Sequence, residues 1–126
     1  MNGVRFVPTA VHGVLDYLVG IVLILAPVLF GFTDVGGAAV ALPRLLGGLL
    51  IFYSLLTNYE LGIFKLIPMP YHLMVDFIAA LLLAISPWLF HFSDQPSKVW
   101  YSHVVVGIAV LIVSLCTKME PKPVVA

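Results

Sequence analysis

Long apolar stretches alternate with short polar connections along this chain. Four stretches, at about 10–32, 38–58, 71–92 and 98–117, are long enough to cross a membrane, since about 20 residues at about 1.5 Å each span roughly 30 Å of hydrocarbon. They lack the short alternating segments of a membrane β-barrel. The pattern therefore predicts an all-α fold, a bundle of four transmembrane helices forming a single membrane domain over 1–126.

The polar connections are rich in residues that favour turns, and they are short. Consecutive helices are therefore expected to run antiparallel, as two hairpins joined by a somewhat longer linker. Polar side chains at His12 and Asp16 interrupt the start of the first apolar stretch. A cleavable signal peptide has a clean apolar core, so we expect this helix to be retained. The three connections are 33–37, 59–70 and 93–97.

Composition agrees with a membrane location. Hydrophobic residues make up 62% of the chain and charged residues 10%, with a mean hydropathy of +1.14. This predicts an integral membrane protein whose first partner is the lipid bilayer. The formal net charge of zero gives no basic footprint for a nucleic acid. Cys116 is the single cysteine, which argues against thiol redox chemistry.

The distribution of basic residues predicts an orientation. Four of them lie on the side of the termini and the central linker, and two lie on the other side. Because cytoplasmic segments are enriched in Lys and Arg, both termini are expected in the cytoplasm, and the membrane is expected to be a bacterial inner membrane. The first group is Arg5, Lys65, Lys118 and Lys122, and the second is Arg44 and Lys98.

The chain matches itself at an offset of 60 residues. Comparison of 5–60 with 65–120 gives 14 identities without a gap, and these include His, Asp, Pro and Glu positions that shared hydrophobicity does not explain. We interpret the two segments as tandem copies of a two-helix hairpin. Because each copy contains two spans, the copies should be related by an axis along the membrane normal.

Most of the identical positions of the first helix in each copy form one narrow stripe, which we expect to face the axis between the copies. In the second helix, Gly47 and Ser54 share a face, as do Gly107 and Ser114, and small residues at this spacing allow membrane helices to pack closely. The stripe consists of His12, Asp16, Leu23, Pro27, Phe30 and Asp34, with His72, Asp76, Leu83, Pro87, Phe90 and Asp94 in the second copy.

A Ser-Pro-Trp tripeptide, Ser86-Pro87-Trp88, lies near the end of the third apolar stretch. In this tripeptide and in its duplicated hairpin, the chain over about 5–120 resembles the SPW-repeat family of small membrane proteins. The first copy keeps only Pro27 of the motif. The resemblance implies four membrane helices and carries no activity that can be transferred to named residues.

The motif has a physical role of its own. A proline in a helix cannot donate to the ladder, so Pro27 and Pro87 are expected to kink their helices and to leave the carbonyls of Leu23 and Leu83 without their usual partner. The Ser86 hydroxyl could replace part of that bonding. Trp88, near the end of its span, is expected in an interfacial aromatic belt.

Paired histidines and aspartates are the residues best suited to chemistry. His12 and Asp16 lie four apart on one helix, and His72 and Asp76 repeat the arrangement. If the two faces meet, the four groups could bind a divalent metal, relay protons, or hold a polar ligand or cofactor, of which haem is one that the pattern does not single out. The interpretation that requires no further function, and that we favour, is that they are hydrogen-bonded pairs that serve packing alone. The remaining histidines, His91 and His103, are expected to be solvated near the opposite surface.

The leading interpretation is a non-enzymatic membrane protein with a structural or interaction role, as a homo-oligomer or as a subunit of a larger membrane complex. The main alternative is a transport or proton-coupled binding protein that uses His12, Asp16, His72 and Asp76. A weaker alternative is a metal- or haem-dependent membrane oxidoreductase. The sequence names no catalytic residue, cofactor or substrate.

Overall fold

The computed structural model describes residues 4–121, so Lys122, used above to predict orientation, lies outside the described residues. Within this range the chain forms four α-helices and no strand, which confirms the all-α four-helix bundle. All four helices are apolar and long enough to cross a membrane. They are α1 (Thr9–Leu29), α2 (Gly37–Leu55), α3 (Met69–Leu89) and α4 (Ser97–Cys116).

Each helix packs mainly against its neighbour in the chain. The contact of α1 with α2 and that of α3 with α4 are the most extensive, and the two hairpins then meet along their inner faces. Large apolar side chains such as Leu25, Phe52, Ile78 and Ile112 are exposed on the outer faces of the four helices. Exposed apolar surface of this extent is what lipid covers, so the protein is an integral membrane protein.

Helices α1 and α3 end three residues earlier than the apolar pattern predicted. The chain turns at Gly31 (φ 69°) and His91 (φ 60°), both in the left-handed region. Beyond each turn, the N–H of Phe32 donates to the Pro27 carbonyl and that of Phe92 to the Pro87 carbonyl, both at 2.8 Å. This is the usual way in which a left-handed residue closes a helix C-terminus.

The early helix ends correct one part of the predicted inward stripe. Phe30, Asp34, Phe90 and Asp94 are exposed, because helical periodicity no longer applies after the turn. The reversal places Phe32 and Phe92 inward instead, in an apolar cluster at this end of the bundle. The stripe is correct within the helices, where its members are all buried: His12, Asp16, Leu23, Pro27, His72, Asp76, Leu83 and Pro87.

The 60-residue offset recurs in the structure. Helices α1 and α3 begin and end 60 residues apart, and α2 and α4 begin 60 residues apart. Two isolated bridges obey the same offset, and each joins one hairpin to the other: Val7 pairs with Thr117, and Thr57 pairs with Ile67. The tandem duplication itself stays an interpretation of the sequence.

Glycines in α2 and α4 bring backbones together within each hairpin, as the small-residue spacing predicted. A Cβ atom added to Gly47 would lie 2.6 Å from the carbonyl oxygen of Gly20, and one added to Gly107 would lie 2.7 Å from the backbone nitrogen of Ala84. Both distances are below van der Waals contact. Any side chain here would therefore push α2 away from α1, or α4 away from α3.

Replacing Gly47 by alanine should destabilise the protein by about 1–3 kcal/mol, the usual cost of overpacking a close contact. Gly48 is the matched control, because a Cβ at this position meets nothing within 4 Å. Gly48→Ala should retain or slightly raise stability, since alanine is the better helix former. Thermal unfolding in detergent, followed by circular dichroism, measures both variants. Equal unfolding temperatures for the two would contradict the close approach.

Candidate functional site

The two predicted His–Asp pairs meet in one buried cluster between α1 and α3. His12 and His72 are 1% and 0% exposed, and Asp16 and Asp76 are 5% and 1% exposed. Each histidine lies in the first turn of its helix and each aspartate one turn further on. At about 1.5 Å per residue, the cluster lies roughly 5–10 Å inside the end of the bundle at which α1 begins. We call these four residues the His–Asp cluster.

The contacts in the His–Asp cluster cross from one hairpin to the other. His12 Nε2 lies 2.8 Å from Asp76 Oδ2, and His72 Nε2 lies 3.0 Å from Asp16 Oδ2. The contacts between residues four apart are slightly longer, at 3.1 Å for His12 with Asp16 and 3.2 Å for His72 with Asp76. The i,i+4 pairs anticipated from the sequence are therefore present, but each histidine is nearer to the carboxylate of the other hairpin.

Two threonines fix the orientation of the imidazoles. Thr117 Oγ1 lies 2.7 Å from His12 Nδ1, and Thr57 Oγ1 lies 2.6 Å from His72 Nδ1. Each hydroxyl also donates to a helix carbonyl at 2.6 Å, Thr117 to Val113 and Thr57 to Tyr53. Because a hydroxyl has a single proton, each threonine oxygen must accept from its histidine. Both imidazoles therefore carry a proton on Nδ1.

Each carboxylate also accepts a hydrogen bond from a tyrosine. The Tyr59 hydroxyl donates to Asp16 Oδ2 at 2.7 Å, and the Tyr53 hydroxyl donates to Asp76 Oδ1. Tyr59 follows α2, outside the spans, and burial together with the Asp16 carboxylate raises the pKa of its phenol above the ordinary value. Tyr59 consequently remains a hydrogen-bond donor.

This arrangement demands positive charge at its centre. With the proton on Nδ1, a neutral imidazole presents the Nε2 lone pair, and here that atom faces carboxylate oxygens at 2.8–3.2 Å. Two facing acceptors repel each other in an apolar medium. The cluster is satisfied when each Nε2 also carries a proton, or when one cation lies between the nitrogen and oxygen atoms.

A cavity of about 390 Å³ reaches the His–Asp cluster from one side. It lies mainly between α1, α2 and α3, with one lining residue from α4, and its walls are apolar side chains such as Leu23, Leu50 and Ala80. Asp76 and Tyr53 supply the polar groups in its lining. The cavity thus leads from apolar surface to one of the two carboxylates.

The Ser-Pro-Trp motif lies at the opposite end of the bundle. Pro27 and Pro87 are buried in the last turns of α1 and α3. The Ser86 hydroxyl donates to the Leu83 carbonyl at 2.7 Å, the group whose usual N–H partner Pro87 lacks. Trp88 is 55% exposed, and its ring lies 6.2 Å from that of Trp100. The motif therefore contributes to the helix end and does not touch the His–Asp cluster.

The expectation of a solvated His103 is wrong. This side chain is 1% exposed, its Nε2 lies 2.9 Å from the Ala39 carbonyl, and its ring packs between Phe32 and Phe92. His103 joins α4 to α2 because it occupies an inward position of α4, which the weak amphipathicity of that helix conceals. His91 is exposed, as predicted.

The model of the SPW repeat domain family matches residues 10–117, which is most of the chain. The chain belongs to the SPW repeat family. No curated protein and no solved structure matches this SPW repeat protein. The family assignment confirms the resemblance carried by Ser86-Pro87-Trp88 and leaves the role of the His–Asp cluster to be argued from its geometry.

Four residues of the site were missed by sequence reasoning. Thr57 and Thr117 are identical at the 60-residue offset, and that identity was the available signal. Tyr53 and Tyr59 gave no such signal, since their counterparts are Val113 and Met119. Only the fold brings these two phenols to the carboxylates.

Removing one threonine hydroxyl should destabilise the protein, because it leaves a buried imidazole N–H without an acceptor. For Thr57→Val we expect a loss of about 1–3 kcal/mol. Thr57→Ser keeps the hydroxyl and is the matched control, expected to be closer to the wild type. Unfolding in detergent micelles measures both. A Thr57→Val protein as stable as Thr57→Ser would contradict the assigned hydrogen bond.

Proposed function

We propose that this SPW repeat protein has a structural or interaction role in the membrane, without catalysis of its own, and that the His–Asp cluster fastens its two hairpins together. The observation that carries the proposal is the crossing of the contacts, His12 to Asp76 and His72 to Asp16. Helix association in lipid gains little from the hydrophobic effect, so polar contacts of this kind supply part of the binding between hairpins.

The surroundings of the His–Asp cluster support the same role. Each Nδ1 has a threonine acceptor, and each carboxylate has a tyrosine donor. A buried polar network with these partners favours one arrangement of the helices, because a displacement of either hairpin would leave further buried groups unpaired. Arg5 adds to this end of the bundle by donating to the Thr117 and Ser114 carbonyls at the end of α4.

A haem group does not suit the cluster. Both Nε2 atoms are within 3.2 Å of carboxylate oxygens, and the two imidazole rings meet edge-on with their centroids 5.4 Å apart. A porphyrin would have to separate the two helices to reach either nitrogen. The geometry therefore disfavours the haem-dependent oxidoreductase.

A second candidate function, proton-coupled binding or transport, is favoured by the cavity that reaches Asp76 and Tyr53. A lipid-soluble molecule with one hydrogen-bonding group could enter from the apolar side and place that group on the carboxylate. In this case Asp16 and Asp76 would exchange protons with the ligand or with the aqueous phase.

The double variant Asp16→Asn/Asp76→Asn separates the two functions. If the His–Asp cluster holds the two hairpins together, the variant should lose at least about 3 kcal/mol of unfolding free energy, as expected when buried pairs are broken. Unfolding in detergent measures this loss, and Asp34→Asn/Asp94→Asn at exposed positions is the control. A variant of unchanged stability that no longer takes up protons in vesicles would overturn the fastening and support the second candidate.

We further propose a bacterial inner membrane with both termini in the cytoplasm, and association with further copies or with a larger membrane complex. Val7 and Lys118 are hydrogen-bonded neighbours, which places the basic residues near the two termini at one end of the bundle. The exposed apolar faces of all four helices can be covered by lipid or by other membrane helices.

The orientation predicts the behaviour of reporter fusions. Green fluorescent protein at the C-terminus should fluoresce and alkaline phosphatase there should be inactive, because the first folds in the cytoplasm and the second in the periplasm. Insertion of the same reporters at 34–36 should give the reverse result. Active phosphatase at the C-terminus would invert the proposed topology.

A further inference from the structure

The His–Asp cluster has the composition and charge of a metal site. Two carboxylates carry two negative charges, and two imidazoles with the proton on Nδ1 present lone pairs on Nε2. One divalent cation would neutralise the centre, and a neutral centre is what a low-dielectric membrane interior favours. We propose that His12, Asp16, His72 and Asp76 bind one divalent transition-metal ion in a four-coordinate site with two nitrogen and two oxygen ligands.

The distances are compatible with such a site. Ligand atoms of the four residues all lie within 4.8 Å of one another. Metal–ligand bonds of about 2.0–2.2 Å at tetrahedral angles separate the ligand atoms by roughly 3.3 Å. The closest nitrogen–oxygen distances are 2.8–3.2 Å. To admit the ion, the closest pairs would therefore move apart by a few tenths of an ångström, and pairs as far apart as 4.8 Å would approach by about 1.5 Å.

The position of one nitrogen atom, His72 Nε2, supports a bound cation. His72 Nε2 is buried and lies 3.0 Å from Asp16 and 3.2 Å from Asp76, but its direction satisfies a hydrogen bond to neither carboxylate. A nitrogen placed between two carboxylates and aligned with neither is well placed to share a central cation with both. His12 Nε2, in contrast, is aligned with Asp76 Oδ2 at 2.8 Å, a contact that is a hydrogen bond only when this nitrogen carries a proton.

The groups behind the ligands are those that metal sites use. Metal-binding histidines commonly donate their second N–H to an oxygen acceptor, and metal-binding carboxylates accept further hydrogen bonds. Here Thr57 and Thr117 accept from the two Nδ1 atoms, and Tyr53 and Tyr59 donate to the two carboxylates. Each of the four proposed ligands is thus held in orientation by a hydrogen bond to a threonine or a tyrosine.

The ligand set also selects the class of metal. Imidazole nitrogen together with carboxylate oxygen suits zinc, cobalt, iron(II) or manganese, whereas calcium and magnesium prefer ligand sets made of oxygen alone. The ion would occupy the same side chains that fasten the hairpins, so this inference deepens the proposed function and rests on the same cluster. Two protons, one on each Nε2, are the competing occupant, since they give the same net charge.

The test uses the full chain purified in detergent without a polyhistidine tag, stripped with a chelator and then titrated with Co²⁺ and with Zn²⁺. We expect one equivalent of Co²⁺ to bind with the visible absorption bands of four-coordinate cobalt, and one equivalent of Zn²⁺ to displace it. A hundredfold excess of Mg²⁺ or Ca²⁺ should leave the bands unchanged. Wild-type protein that takes up less than a tenth of an equivalent of either ion would overturn the site and assign the cluster to protons.

Variants assign the bound metal to the cluster. His72→Ala should reduce binding at least tenfold, while His91→Ala, which removes an exposed histidine at the opposite end, should bind as the wild type does. If His72→Ala fails to fold, the comparison of stripped and zinc-loaded wild type replaces it, and zinc should raise the unfolding temperature. Metal binding that His72→Ala retains would place the ion elsewhere and overturn the proposal.

The result is separable from the fastening role. Stable wild type that takes up neither Co²⁺ nor Zn²⁺, with an unstable Asp16→Asn/Asp76→Asn variant, would keep the fastening role and refute the metal site. Stoichiometric metal with an unaltered stability of that double variant would do the opposite.

Discussion

The arrangement of this protein depends on satisfying four polar side chains inside a membrane. In hydrocarbon, no water is present to form hydrogen bonds with a carboxylate or an imidazole, so the partners of these groups must come from the protein. His12 and Asp16 on one hairpin find them in Asp76 and His72 on the other. The relative position of the hairpins is consequently set by chemistry that tolerates little displacement. The apolar contacts around it are compatible with many more arrangements.

Local features of each hairpin determine its shape and the positions of its cluster residues. Gly47 and Gly107 bring the two helices of each hairpin close together. The turns at Gly31 and His91 end α1 and α3 and return Phe32 and Phe92 to the interior. At the other end, the Thr57 and Thr117 hydroxyls donate to carbonyls in the last turns of α2 and α4 and accept from the two imidazoles. The same threonine hydroxyls therefore contribute both to the ends of α2 and α4 and to the His–Asp cluster.

Much of the fold followed from the sequence because apolar length and the 60-residue offset are strong signals. They predicted four helices and the inward positions of His12, Asp16, His72 and Asp76. Two things could not follow. Helical periodicity misplaced Phe30 and Asp34, since the left-handed turn after Leu29 depends on backbone geometry that composition does not reveal. The pairing of each histidine with the aspartate of the other hairpin could not be predicted either. The i,i+4 spacing allows each histidine to bond to the aspartate of its own helix just as well.

The two tyrosines make the hairpins unequal. Tyr53 and Tyr59 both belong to the first hairpin, yet one serves the carboxylate of its own hairpin and the other serves that of its neighbour. The second hairpin has valine and methionine at the matching places and offers neither phenol. Two copies of the second hairpin could therefore bring together the same histidines and aspartates but would leave both carboxylates without these donors. The first hairpin supplies both tyrosine donors to the His–Asp cluster, and the second hairpin supplies none. The two hairpins are therefore not interchangeable.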